Sequence, residues 1–171
     1  MAMFKTCNKK GKYFDSDSRQ DVIGYIFNPL KTESGFRGGI NVTADVVDSM
    51  NNVAVRFKKT KGVQLRHFVL SFTPDEMDEP EIVYEIACKI ASFMGMEYQV
   101  VFAVHEDTQN LHIHFVCNAM KYTDGHRYYG KKEEYFPLVK FIKDLLRYEY
   151  GIRLITVSAL SEKDIQGEAI N

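Results

Sequence analysis

The feature that most constrains this chain is a pair of alternating apolar runs that carry three histidines across a predicted hairpin. His112 and His114 stand two apart in a strand-like stretch. Their imidazoles should therefore leave one face of the strand, roughly 6.6 Å apart along the backbone. His105 closes the preceding apolar run, and the polar stretch 106–110 has the length of a hairpin connection. Folding the hairpin brings the third imidazole to the other two.

This arrangement predicts a site for a divalent metal ion. Three neutral imidazoles on one rigid surface can hold a cation and leave positions open for a substrate. Asp107 follows His105 closely, so its carboxylate could fix the tautomer of a ligand ring. The alternative is three hydrogen-bonded strand histidines without a metal. We favour the metal because three of the five histidines fall within ten residues, in the register that convergence requires.

Length and composition favour one globular domain. At 171 residues with 45% hydrophobic residues, the chain can bury one substantial core, which we expect over 1–157, followed by a polar, frayed tail over 158–171. No apolar run could span a bilayer, and the N-terminus lacks a secretion signal, so we expect a cytoplasmic protein without a membrane partner. The three cysteines lack C-x-x-C spacing, which favours reduced thiols.

Charge is patterned along the chain. The net charge of −1 argues against a protein that is cationic over its whole surface. Basic clusters at 9–12, 56–66 and 127–132 could nevertheless bind phosphate locally, or could be no more than solvated surface. The two interpretations of these clusters remain open at this point.

The spacing of apolar residues predicts the α+β class. Because the predicted strands pair through a hairpin or across helices, we expect an antiparallel sheet of about five strands with helices packed on it. The glycine-rich stretch 33–42 is interpreted as a loop. The predicted helices span about 18–27, 43–57, 80–94 and 135–150, and the predicted strands about 3–7, 64–73, 97–105, 111–121 and 153–157.

Three segments together resemble a known family. The pattern His-x-Asp-x-x-x-x-His-x-His at 105–114 resembles the third motif of relaxases, the mobilisation nucleases of the HUH endonuclease superfamily. Residues 24–32, Gly-Tyr-Ile-Phe-Asn-Pro-Leu-Lys-Thr, are similar to the motif with the nucleophilic tyrosine, and residues 67–76 to the second motif with its serine. Family members usually run longer, so the resemblance implies a catalytic domain or a small, mobilisation-only member.

The resemblance implies a fold and a reaction. The fold is a palm-like, five-stranded antiparallel sheet with the histidines on its central strands and helices on the opposite face. The reaction is a strand-specific transesterification of single-stranded DNA at an origin of transfer, which leaves a 5′-phosphotyrosine and a free 3′-hydroxyl. The implied cofactor is Mn²⁺ or Mg²⁺, with Zn²⁺ as a third option, and accessory mobilisation proteins are implied partners.

The resemblance also implies roles for single residues. Tyr25 takes the place of the nucleophile. Ser71 could bind a phosphate or base, or could equally be an ordinary strand residue without such a role. Asp107 could help the phenol to ionise or could hold a ligand ring, and we favour the second role. The implied metal ligands are His105, His112 and His114.

Tyr25 has competing interpretations. A tyrosine on an amphipathic helix ordinarily serves packing, and paired-tyrosine initiators would keep their tyrosines late in the chain. Motif order, with the tyrosine ahead of the histidines, favours Tyr25. The competing tyrosines are Tyr128, Tyr129, Tyr148 and Tyr150.

DNA contacts and two further residues are less constrained. A hydrogen-bonded His67 is favoured over a fourth metal ligand, and Glu76 is interpreted as part of an acidic lead-in to a helix. Single-stranded DNA needs cations for its backbone and aromatic faces for its bases. The candidates are Lys31 and Arg37 near the tyrosine, Asn118 on the metal strand, and Arg127 and Tyr128 in an aromatic loop after the hairpin.

Two rival functions remain. Within the enzyme class, the rival is a replication initiator or transposase of the same superfamily. From another class, the rival is a catalytically inactive single-stranded DNA-binding module that kept the sheet and lost turnover.

Overall fold

The computed structural model describes residues 1–7, 13–14 and 17–157. The predicted tail and the basic cluster at 9–12 lie outside these described residues. Within them, six strands form one sheet in the order β2-β4-β5-β3-β1-β6. Neighbouring strands are antiparallel except β1 and β6, which are parallel. The strands are β1 (Ala2–Cys7), β2 (Arg37–Ile40), β3 (Leu65–Ser71), β4 (Val100–His105), β5 (His112–Asn118) and β6 (Leu154–Val157).

Four α-helices of the described residues pack on this sheet. Pro80 begins the third, where the missing amide hydrogen of proline costs nothing. Gly151 ends the fourth in the left-handed region, with φ of 68°, as expected of a glycine cap. None of the helices in the described ranges is both long and apolar enough to cross a membrane. The helices are α1 (Ser18–Ile26), α2 (Val46–Arg56), α3 (Pro80–Met94) and α4 (Lys132–Tyr150).

The helices cover both faces of the sheet. Strand alternation sends Phe115 to one face, where α3 and α4 build the larger core, and sends His114 and Val116 to the other. On this second face, Ile26 of α1 and Met50 of α2 pack with Val116 in a smaller core. The expectation that helices lie only opposite the histidines is therefore wrong. Because α1 packs on the histidine face, the segment that carries the tyrosine motif lies beside the triad.

The predicted fold class is confirmed, with one strand more than expected. The additional strand is β2, which comes from the glycine-rich stretch interpreted as a loop. A Cβ atom at Gly38 would lie only 2.4 Å from the ring of Phe102 on β4. Glycine therefore lets β2 pair closely with β4, although glycine is disfavoured in strands and the sequence pattern points away from one.

Candidate active site

Hairpin pairing brings the three histidines together. His105 and His112 face each other directly across β4 and β5, and His114 pairs with Ala103 on the same face. The ring centroids of His105 and His114 are 4.2 Å apart, and both lie within 5.2 Å of the His112 ring. One nitrogen from each ring lies within 4.8 Å of the other two. Small ring rotations would close these gaps to the ligand spacing of a single cation, about 3–4 Å for bonds of about 2.0–2.1 Å.

Backbone carbonyls hold two of the three rings. Nε2 of His105 is 2.8 Å from the carbonyl oxygen of Ile26, and Nδ1 of His112 is 3.0 Å from that of Asn110. Because a carbonyl only accepts, each of these nitrogens carries the ring proton, and the opposite nitrogen keeps its lone pair. Nδ1 of His105 is buried without a hydrogen-bond partner in the described part of the chain. A buried acceptor of this kind fits a metal ligand.

The third ring is held by a fourth histidine. Nδ1 of His114 is 2.7 Å from Nε2 of His67, and both side chains are buried. This leaves Nε2 of His114 for the shared point. The predicted role of His67, a hydrogen-bonded histidine rather than a fourth ligand, agrees with this contact.

Burial favours the uncharged form of His105 and His114. Desolvation, reinforced by the neighbouring histidines, lowers the pKa of His114 to about 2. Desolvation also lowers the pKa of His105. Imidazole binds a metal only in its neutral form. The convergence of three imidazoles, with His105 and His114 held uncharged, therefore fits a divalent cation.

Tyr25 lies against the triad. Its ring centroid is 5.8 Å from that of His105 and 5.6 Å from that of His114, with edge-on geometry. The side chain is 42% exposed, so a substrate can reach it. Its chain neighbour Ile26 is fully buried and accepts the hydrogen bond from His105, which ties the helix end to the triad. Among the tyrosines that the structure describes, only Tyr25 makes ring contact with triad histidines.

A cation and a carboxylate stand beside this tyrosine. Nζ of Lys31 is 2.7 Å from Oδ2 of Asp107 and 5.5 Å from the centroid of the Tyr25 ring. The hydrogen bond from Lys31 lowers the pKa of Asp107 and raises that of the lysine. The favoured sequence interpretation, that Asp107 holds a ligand ring, does not match these contacts. The rings are held instead by Ile26, Asn110 and His67.

Two more predicted residues line the same face. Ser71 pairs with His112 across β3 and β5 and is partly exposed. Arg37 pairs with Ala103 on β4. Its guanidinium donates to the carbonyl oxygen of Phe27 at 3.1 Å. Ser71 thus lies beside His112, and Arg37 binds the residue that follows helix α1, so both remain candidates for substrate contact.

Asn118 shares the histidine face but is fully buried. Its Oδ1 accepts from Arg19 at 2.9 Å, and its Nδ2 donates to Gln99 at 2.9 Å and to the carbonyl of Met50 at 3.1 Å. The prediction that Asn118 contacts DNA or orients a ligand does not fit these contacts. A side chain without solvent exposure, and with its amide already hydrogen-bonded, has no free group to offer.

The aromatic loop after the hairpin also points elsewhere. Tyr128 is 7% exposed and packs edge-on against Phe68 in the core opposite the histidines. Arg127 donates to the carbonyl oxygen of Lys61 at 2.6 Å. That carbonyl precedes β3 at the end of the sheet away from the triad. The structure therefore does not bring Arg127 and Tyr128 to the candidate site.

Glu76 and Arg19 have structural roles. Glu76 accepts from the amide and hydroxyl of Thr73 and pairs with the amino group of Met1 at 3.1 Å, so it closes a turn. Arg19, which sequence reasoning missed, is 2% exposed and binds Asn51, Gln64 and Asn118, which anchors α1 to the sheet. A charged residue in a helix gives no sequence signal of such burial.

Comparison with known proteins gives a family match over most of the chain. Residues 25–152 match the family model described as relaxase, MobA/VirD2-like, nuclease domain. A solved structure described as the molecular basis of vancomycin resistance transfer in Staphylococcus aureus superposes with a TM-score of 0.52 at 17% identity. The match covers 73% of this chain and 75% of that one. At this identity the likeness speaks for the fold alone.

Curated relatives match over shorter segments. The group II intron-interrupted relaxase LtrB of Lactococcus lactis subsp. cremoris is 33% identical over 42% of this chain and 13% of its own length. Protein MobA of Acidithiobacillus ferrooxidans is 34% identical over 41% of this chain and 16% of its own. Protein TraI of Escherichia coli is 32% identical over 46% of this chain and 10% of its own. The matched segments thus span less than a fifth of each relative.

Proposed function

We propose that this chain, which belongs to the relaxase family with a MobA/VirD2-like nuclease domain, nicks one strand of DNA at an origin of transfer through a covalent tyrosyl intermediate. The observation that carries this proposal is the contact of the Tyr25 ring with His105 and His114. A phenol and three convergent imidazoles are the parts that a metal-assisted phosphoryl transfer requires. We also propose that the DNA substrate is single-stranded. We further propose that the whole protein acts with accessory mobilisation proteins and is located in the cytoplasm.

His105, His112 and His114 would hold the cation through Nδ1, Nε2 and Nε2, respectively. A cation bound there would neutralise charge on the non-bridging oxygens of the scissile phosphate, where negative charge repels a nucleophile. The histidines' own task is to present three lone pairs from a rigid hairpin. Imidazole donors suit transition metals better than Mg²⁺, which prefers oxygen ligands. We therefore propose Mn²⁺ or Zn²⁺ ahead of Mg²⁺.

Tyr25 would act as the nucleophile. Its Oη attacks phosphorus and forms a phosphotyrosyl bond to the 5′ side, while the bond to the 3′ oxygen breaks and that oxygen takes a proton. The phenol proton leaves at the same stage. Because one phosphoester replaces another, the linkage keeps the energy needed for rejoining the strand, whereas attack by water would not. Reversibility of this kind suits transfer followed by religation.

Lys31 would assist the phenol. A phenol has an ordinary pKa near 10, so it needs electrostatic help to react at neutral pH. The ammonium group, 5.5 Å from the Tyr25 ring centroid and held by Asp107, can stabilise negative charge on both the phenolate and the phosphate. Asp107 acts in this scheme by positioning Lys31. Arg37 and Ser71 would contact the DNA strand on either side of the triad.

The rival paired-tyrosine mechanism has weaker support. Tyr148 and Tyr150 lie on α4, which packs with α3 on the face opposite the triad. The Tyr150 hydroxyl accepts from Lys89 at 3.0 Å. Neither side chain is placed to attack a phosphate held at the histidines.

The test incubates the chain with origin-derived single-stranded oligonucleotides and Mn²⁺ and looks for a covalent protein–DNA band. Wild type is expected to form the adduct, and Tyr25→Phe is expected to form none. The matched control is Tyr129→Phe, because Tyr129 is 57% exposed and follows the buried Tyr128, away from the triad. This variant should form the adduct in wild-type yield. An adduct with Tyr25→Phe would refute the nucleophile. Failure of wild type across many candidate origins and metals would favour the inactive binding module.

A further inference from the structure

The three imidazoles of the triad are anchored in different ways. Backbone carbonyls anchor His105 and His112, whereas His114 is anchored by the side chain of His67 at 2.7 Å. Backbone acceptors are present whatever the residue type. Among the three contacts that hold the rings in the described part of the chain, the contact from His67 is the one that a side-chain substitution would remove.

We propose that His67 is a positioning residue that holds His114 in the tautomer able to bind the metal, with Tyr13 fixing His67 in turn. The inference rests on the proposed metal centre and adds a residue that acts on it without ligating the ion. His67 is 4% exposed and His114 6% exposed, so water does not compete strongly for the bond between them.

The positions of the protons follow from the contacts. A metal on Nε2 of His114 requires that its proton sit on Nδ1, which then donates to Nε2 of His67. His67 must in turn carry its own proton on Nδ1, 3.2 Å from the Tyr13 hydroxyl oxygen, which accepts it. The opposite arrangement would place a proton on Nε2 of His114, in the position of the metal. The proposal assigns the first arrangement, in which His114 donates to His67 and His67 donates to the Tyr13 hydroxyl oxygen.

The neutral anchor has an electrostatic consequence. A carboxylate in place of His67 would cancel part of the charge of a bound cation, and its burial would be costly without a partner. A neutral imidazole orients the ligand and leaves the cation's full charge available to the phosphate. His67 thus combines ring alignment with a strongly positive site.

The aromatic environment holds His67 in place. Its ring meets that of Tyr13 edge-on, with centroids 6.1 Å apart, and lies 5.0 Å from the His114 centroid. Tyr13 is itself 5% exposed. Packing and hydrogen bonding therefore fix the direction of the His67 acceptor, as alignment of a metal ligand requires.

The test measures Mn²⁺ affinity of the full chain by electron paramagnetic resonance of free Mn²⁺ for wild type, His67→Gln and His67→Leu. Glutamine can place an amide oxygen near the position of Nε2 and accept the bond, so its affinity should stay within about threefold of wild type. Leucine fills space without an acceptor, so its affinity should fall about 10- to 100-fold. Thermal unfolding in EDTA checks that the variants fold. Equal affinity of wild type and His67→Leu would overturn the proposal.

A second readout covers the case in which His67→Leu fails to fold. Nitrogen-15 NMR of the imidazoles in metal-free wild type should find the His114 proton on Nδ1. A proton on Nε2 would overturn the proposal even without a variant. Failure of the proposed metal centre can be distinguished from failure of the proposed role of His67. In the first case, wild type would bind neither Mn²⁺ nor Zn²⁺. The NMR spectrum would still show which nitrogen of His114 carries the proton.

Discussion

Strand β5 carries two kinds of polar side chain on one face, and their surroundings differ. At one end, His112 and His114 turn lone pairs toward a shared point beside an exposed tyrosine. At the other end, Asn118 is fully buried and hydrogen-bonded to Arg19, Gln99 and Met50. The first end leaves acceptors available for a ligand, and the second uses them up within the protein. Burial alone therefore does not distinguish a candidate site residue from a structural residue. The two are distinguished by whether their polar atoms are already hydrogen-bonded within the protein.

The largest effect is expected at the histidine end. His112→Ala should lower Mn²⁺ affinity by about 100-fold or more and adduct formation by roughly 10³-fold, because one of three ligands is lost. The side chain is partly exposed, so the free energy of unfolding in EDTA should change by no more than about 0.5 kcal/mol. Mn²⁺ titration and urea unfolding measure the two quantities. Unchanged Mn²⁺ affinity would remove His112 from the metal centre.

The opposite result is expected at the asparagine end. Asn118→Leu should lower the free energy of unfolding by about 3 kcal/mol, because the buried Arg19 loses an acceptor and Gln99 loses a donor. Mn²⁺ affinity of the folded variant should match wild type. Urea unfolding provides the measurement. Wild-type stability combined with lost DNA binding would instead make Asn118 a substrate contact and erase the contrast between the two ends.

A smaller effect on rate is expected at the edge of the site. Lys31→Met should slow adduct formation about 10- to 100-fold, because the cation beside the phenol and phosphate is removed. Mn²⁺ affinity should stay within about threefold, since the lysine is not a ligand. Lys31→Arg is the matched control and should recover most of the rate. Single-turnover kinetics at saturating Mn²⁺ separate these outcomes, and a wild-type rate for Lys31→Met would exclude electrostatic assistance.

The smallest effect is expected in the core on the far face. Tyr128→Phe should leave adduct yield unchanged and raise the free energy of unfolding by about 0.5–1 kcal/mol. The reason is that the Tyr128 hydroxyl is buried and has no hydrogen-bond partner in the described residues. Thermal unfolding and the adduct assay check both parts. Reduced DNA binding by this variant would return the aromatic loop to the substrate interface.

Much of the fold could be predicted because its signals are local. Apolar spacing predicted α3 over the range that the structure shows, and alternation along the two arms of the hairpin predicted the shared face of the histidines. Strand β2 could not be predicted, because its pairing depends on how closely Gly38 approaches Phe102, a contact between distant segments. Local patterns do not report such contacts.

The candidate site divides in the same way. Residues placed by strand alternation, such as His114 and Ser71, were predicted together with their face. The partners of Asp107 and Asn118 could not be, because Lys31 and Arg19 come to them from distant segments of the chain. Which side chain accepts a given hydrogen bond depends on tertiary packing. Sequence therefore predicted the convergence of the three histidines better than the contacts of the residues that surround them.

Three nitrogens of the triad are proposed to converge on one cation beside Tyr25. Anomalous diffraction from a crystal of the chain grown with Mn²⁺ would locate this cation. We expect one strong peak at roughly 2.0–2.3 Å from Nδ1 of His105, Nε2 of His112 and Nε2 of His114, on the side facing the tyrosine. A peak at other residues, or none at saturating Mn²⁺, would rule out a metal centre at these histidines.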